Sequence, residues 1–144
     1  MTDTIREKII AAFTVRAKAL SNNDVLRVRR AHKESDCRNV SVWDGEDSGD
    51  DPQFGAQSLS FPIALNMQWE VVENASIEAN AAIGESVKAM IGTDSTFGGL
   101  AKKMQYVSST PEYPVEGSGI VSLTVIFNIF YATQQGDPFT AINQ

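Results

Sequence analysis

Seven odd-numbered positions in a row are apolar between Leu59 and Val71: Leu59, Phe61, Ile63, Leu65, Met67, Trp69 and Val71. Ser58, Ser60, Pro62, Ala64, Asn66, Gln68 and Glu70 alternate with them. A period of two places the two sets on opposite faces of a β-strand. One face is fit for a core and the other tolerates water. Burying seven such side chains contributes roughly 10–20 kcal/mol gross, at ~1.5–3 kcal/mol each. Chain entropy of similar size opposes it, so a second layer has to cover this face.

A second long strand spans Ile120 to Tyr131. Val121, Leu123, Val125, Phe127, Ile129 and Tyr131 share one face. Ser122, Thr124 and Asn128 lie opposite, with Ile126 and Phe130 among them, so that face is mixed and suits partial cover by a helix or another subunit. Two helical patterns lie outside these strands. Thr4-Ile5-Arg6-Glu7 fits a capping box, and Ile5, Ile9, Phe13, Ala17 and Leu20 form an apolar stripe up to Ser21-Asn22-Asn23. Asn74 or Ser76 caps a second helix, expected to reach Met90, with Ile83, Val87, Met90 and Ile91 as its stripe and Gly92 as its C-terminal cap. Its alanines, from Ala75 to Ala82, allow close approach to a sheet or another chain. The expected fold is α+β, a mostly antiparallel sheet with two helices packed on one face.

The remaining segments read as connections and edges. Asp24 to Lys33 is a basic strand pattern carrying Arg27, Arg29, Arg30 and His32. It suits a solvated edge, where charge blocks edge-to-edge pairing, or a surface for an acidic neighbour. Val40 to Trp43 is a short strand. Leu100 to Ser109 reads as a helical turn leading into a strand, and Thr110 to Gly119 as an extended connection. Residues 134–144 are polar and are expected to project as a tail. The 144 residues suit one domain, without repeats or an internal boundary.

The acidic balance, a net charge of −6, argues against a general attraction to nucleic acid. The single cysteine, Cys37, cannot form an internal disulfide, and no apolar run is long enough to span a bilayer. These features suit a protein made and used in a cytoplasm, or in something assembled there.

Little in the chain points to catalysis. His32 is the only histidine, so no histidine cluster can hold a metal. Cys37, beside Arg38, would have only His32 as a base. No phosphate-binding glycine loop is present. Asp44, Glu46, Asp47, Asp50 and Asp51 crowd one loop instead of facing each other from separate elements. As a calcium loop, Asp44, Glu46, Ser48 and Gly49 fit the first half, yet the closing position is Gly55 in place of a bidentate glutamate. No cofactor and no metal site are expected, and a large β-rich domain without a chemical constellation reads best as an assembly part.

The order of elements carries a resemblance. An amphipathic helix, a strand and a short Val42-Trp43-Asp44-Gly45 segment precede the long alternating strand and the Ala-rich helix. A final long strand ends in Tyr131-Ala132-Thr133, followed by Gly136-Asp137-Pro138-Phe139. This layout resembles the tail terminator (tail completion, head–tail joining) proteins of long-tailed bacteriophages and prophages. The resemblance implies a non-enzymatic virion protein at the head-proximal end of the tail, assembled in the host cytoplasm. It implies a homohexameric ring that stops growth of the tail tube and binds the head-side connector. DNA then passes through the lumen without sequence-specific binding. The basic residues Arg27, Arg29 and Arg30 and the acidic loop at Asp44, Glu46, Asp47, Asp50 and Asp51 become candidates for complementary subunit contacts, and Asp137, Pro138 and Phe139 for a partner-contact tail. A head–tail stopper or other neck protein is the nearest alternative. A small calcium- or ligand-binding cytoplasmic module using the acidic loop is the alternative from another class.

Overall fold

The computed structural model describes residues 3–20, 25, 27, 39–92, 94–114 and 119–142. Helix α1 (Ile5–Ala17) continues as a 3₁₀ turn, Lys18–Leu20. Strands β1 (Asn39–Asp44), β2 (Ser48–Gly49) and β3 (Ala56–Glu70) follow. Helix α2 (Ala75–Met90) leads to β4 (Lys103–Glu112), β5 (Ile120–Gln134) and β6 (Asp137–Ala141). The fold is α+β, as the alternation implies.

Strands β3 and β5, fifteen residues each, form the spine of the sheet. They pair antiparallel along their whole length, from Ala56 opposite Gln134 to Glu70 opposite Ile120. The sheet runs β1-β3-β5-β4, with β2 continuing the β1 edge and β6 pairing with β5. Directly opposed residues share a face, so the odd residues of β3 meet the odd residues of β5. Phe61, Ile63, Leu65, Met67, Val121, Leu123, Val125, Phe127 and Ile129 are all fully buried there. Both helices lie over this face. Ile5, Ile9, Ile10, Phe13, Ala17 and Leu20 come from α1 and its 3₁₀ turn, and Ala79, Ala82 and Met90 from α2. Phe13 anchors the layer edge-on to Phe127, with ring centroids 5.8 Å apart.

Thr4 caps α1 as its sequence implies, its hydroxyl accepting from the Glu7 amide at 3.1 Å. The expected stripe is buried, with Ile10 added. Helix α2 begins at an Asn74 cap, but it turns differently from its expected stripe. Ala79, Ala82, Ser86 and Met90 face the core, while Ile83, Val87 and Ile91 are only half-buried. The small residues let the helix backbone sit close to the sheet, which moves the larger ones to its flanks. Ser86 tolerates burial because its hydroxyl donates to the Ala82 carbonyl at 2.7 Å.

Two boundaries differ from expectation. Strand β4 runs on to Glu112, through a bulge between Tyr106 and Ser108, where an irregular connection from Thr110 is expected. Residues 134–142 of the expected tail do not project. The chain turns at Gln135 and at Gly136, whose φ is +76°, and β6 folds back onto β5. The Ile142 amide donates to the Ala132 carbonyl at 3.0 Å. Backbone pairing with the end of β5 gives these polar residues a place that hydropathy does not reveal. Of the strand expected over Asp24 to Lys33, the described Val25 and Arg27 are not in a strand; Arg29, Arg30, His32 and, beyond it, Cys37 lie outside the described residues.

Candidate functional site

Pro62 determines where the acidic loop leaves the sheet. It sits inside the long strand β3, where a missing amide normally breaks a ladder. Its carbonyl accepts from the Gly45 amide at 2.8 Å, so its nitrogen faces the same edge. That edge is where β1 ends at Asp44 and β2 begins at Ser48. The gap between the two strands falls where β3 has no donor. Gly45 is required at the crossing, because a Cβ there would stand 2.6 Å from Pro62 Cγ.

One cation gathers the start of the loop. The Arg6 guanidinium, from the first turn of α1, reaches Asp44 at 2.5 Å, Asp47 at 2.8 Å and the Gly45 carbonyl at 2.6 Å. It lies 4.4 Å over the Phe61 ring, which meets Tyr131 edge-on. The Tyr131 hydroxyl donates to Asp47 at 2.9 Å. Burial, then the bond to Asp47, pushes the Tyr131 pKa up, so it stays a donor. Partial burial works to lower the Arg6 pKa, but the bond to Asp44 and the charge of Asp47 outweigh it and leave the value raised. Asp44 and Asp47 are therefore held from inside the chain.

Within one chain the charged residues pair as follows. Asp44 and Asp47 face Arg6, and Arg27 forms a two-pronged pair with Glu7 at 2.5 and 2.9 Å. That pair lowers the Glu7 pKa and raises that of Arg27. Arg6 thus makes the direct bonds to the acidic loop, while Arg27 bonds Glu7 and feels Asp44 only through its charge. Arg29 and Arg30 lie outside the described residues. Glu46, Asp50 and Asp51 are exposed. As a calcium loop the arrangement is poor, because a guanidinium already takes Asp44 and Gln57 donates to the Asp50 carbonyl. Among the described residues no cluster of histidine, cysteine and carboxylates is placed to hold a metal ion.

The loop ends in an unusual tip. Gln53 bridges to Ala56, and Phe54 and Gly55 between them have φ of +52° and +78°. Two positive values mark the turn type that prefers Asn-Gly or Gly-Gly, not phenylalanine. Phe54 is nevertheless fully exposed, at 101 %. The Gly55 carbonyl accepts from the Gln135 amide at 2.8 Å, which ties the tip to the β5–β6 turn. Sequence reasoning missed Arg6, Tyr131 and Phe54. The Phe54-Gly55 pair between two strand patterns is the signal that could have located the tip.

At the neighbouring hairpin, Asp137 accepts from the Phe139 amide at 3.0 Å and the Thr140 hydroxyl at 2.7 Å, which lowers its pKa. The Thr140 bond is the larger cause. Pro138 and Phe139 are exposed on β6. The second face of the sheet has a different character. Neither helix lies over it, and its centre carries Ala64, Asn66, Ser122, Thr124, Ile126, Asn128 and Phe130, without a charge. Asn66 donates to Ser122 at 3.2 Å and Thr124 at 3.0 Å. Lys103 stacks over Phe130 at its edge.

No protein-family model matches this chain, and no curated protein is significantly similar to it. Among the described residues, no helix is long and apolar enough to cross a membrane.

Proposed function

We propose that this chain is a tail terminator of a long-tailed bacteriophage or prophage. It acts without catalysis, as the subunit of a homohexameric ring that caps the tail tube and meets the head-side connector, with DNA passing through the lumen. The resemblance in element order supports the reading, from the capped N-terminal helix to the closing strand with its Gly-Asp-Pro-Phe turn. The observation that carries it is the charge-poor second face of the sheet, which neither helix covers among the described residues and where Ser122, Thr124, Ile126, Asn128 and Phe130 are half-buried. Depletion of charge marks the core of protein interfaces, and a net-acidic surface elsewhere avoids trapping a passing polyanion. The calcium-module alternative is weakened because Arg6 occupies Asp44 and Asp47.

The test is light scattering with negative-stain imaging of the purified protein, at rising concentration and with magnesium. The protein is then added to purified tail tubes of its phage. Rings of about six subunits with an open centre, seated on tube ends, are the expected result. A protein that neither forms rings nor binds tube ends overturns the reading.

A further inference from the structure

Phe54 is a knob without a socket in its own chain. It is fully exposed on a left-handed backbone and fixed by the Gly55–Gln135 bond, with exposed Asp50 and Asp51 beside it. The outer face of α1 offers the opposite chemistry. Lys8, Ala11, Val15 and Lys18 recur at spacings of three and four and are exposed, Val15 at 63 %. An apolar stripe is thus flanked by lysines about 15 Å apart along the helix, at ~1.5 Å per residue.

We infer that Phe54 of one copy docks on the Val15 stripe of α1 in a second copy, with Asp50 and Asp51 facing Lys8 and Lys18. Charge complementarity favours this occupant: Val15 lies between Lys8 and Lys18, whereas the exposed Val72 and Ile77 have an acidic rim at Glu73. In the ring of the proposed function this contact is used in one direction, tip to helix, so it is heterologous and propagates head to tail until rotation closes it. The inference rests on the ring reading and replaces Arg27 with α1 as the acceptor of the acidic loop.

Analytical ultracentrifugation of the full chain tests it. Phe54→Asn puts a favoured residue in the turn, so the subunit should melt higher while self-association weakens by about 30-fold, as for a central aromatic anchor. The pair Asp50→Lys with Asp51→Lys should block assembly, as should Lys8→Glu with Lys18→Glu. An equimolar mixture of these two variants should assemble again, because each tip then meets a helix of opposite sign. Rings that persist in Phe54→Asn, or a mixture that stays dissociated, overturn this interface and leave the ring reading standing. A wild-type chain that stays monomeric at every concentration and does not bind tube ends overturns both.

Discussion

Replacing Arg6 with methionine isolates what its guanidinium contributes. The aliphatic stem and its packing on Phe61 are largely kept, while the contacts to Asp44, Asp47 and the Gly45 carbonyl are lost. Hydrogen bonds to charged groups contribute about 1.5–3 kcal/mol when buried. Here the side chains of Arg6, Asp44 and Asp47 are 23–36 % exposed, so solvent screening reduces each contact toward ~0.5–1 kcal/mol. Loss of the cation over Phe61 adds roughly 0.5 kcal/mol. The sum is about 2–3 kcal/mol. For a chain of this length that lowers Tm by about 10 °C, at ~3–5 °C per kcal/mol. Urea and thermal melts at low and high salt measure it, and the difference between wild type and Arg6→Met should shrink in salt. In a double-mutant cycle with Asp47→Asn, a coupling of about 1 kcal/mol is expected. A variant within ~0.5 kcal/mol of wild type, with no coupling, would mean that the loop holds its place without Arg6.

Three further outcomes follow from the same contacts. Phe13→Ala removes a fully buried ring packed on Phe127 and should cost about 3–5 kcal/mol in urea denaturation. Gly45→Ala sets a Cβ against Pro62 and should cost about 1–3 kcal/mol, with faster amide exchange in residues 44–50 than in the wild type. Bonds from the Thr96 hydroxyl and amide, and from the Gly98 amide, lower the Asp94 pKa to about 2. Its contribution is complete above the ordinary carboxylate pKa, near ~4, and is lost as pH falls toward the lowered value. Asp94→Asn should therefore flatten the acid limb of the stability curve between these two values without changing its shape above pH ~5.

The sheet was legible because its two longest strands alternate over most of their length, although Leu59 and Val71, at the ends of the first run, are only half-buried. Every odd residue from Phe61 to Trp69 and from Val121 to Tyr131 is buried, and the pairing that brings them together follows from burying one face. Helix α1 was legible for the same reason. Helix α2 was legible in its Asn74 cap and its end at Met90, but not in its buried face, because size and burial part company there. Alanine and serine at positions 79, 82 and 86 are the buried ones, and a pattern search weighted toward large residues picks the flanks. Strand β6 was hidden because Asp137, Pro138 and Thr140 carry no hydropathy signal and are placed by pairing with β5 and by the Asp137 side-chain bonds.

Charge pairing is harder to read than hydrophobic pattern because it needs the third dimension. The sequence shows a basic segment and an acidic loop, and complementarity between them is the natural inference. The fold instead brings Arg6, nearly forty positions from Asp44, onto the loop, since α1 crosses the sheet where β3 carries Pro62. Once Arg6 has taken Asp44 and Asp47, the loop divides into an anchored start and an exposed end. The charge of the anchored half is already partly matched by Arg6 within the chain. Glu46, Asp50, Asp51 and Phe54 remain exposed, and a fully exposed phenylalanine in a turn that favours asparagine is costly in an isolated subunit. A surface that lowers the stability of the single chain is accounted for by a contact outside it, and the Phe54→Asn variant separates these two effects by their opposite signs.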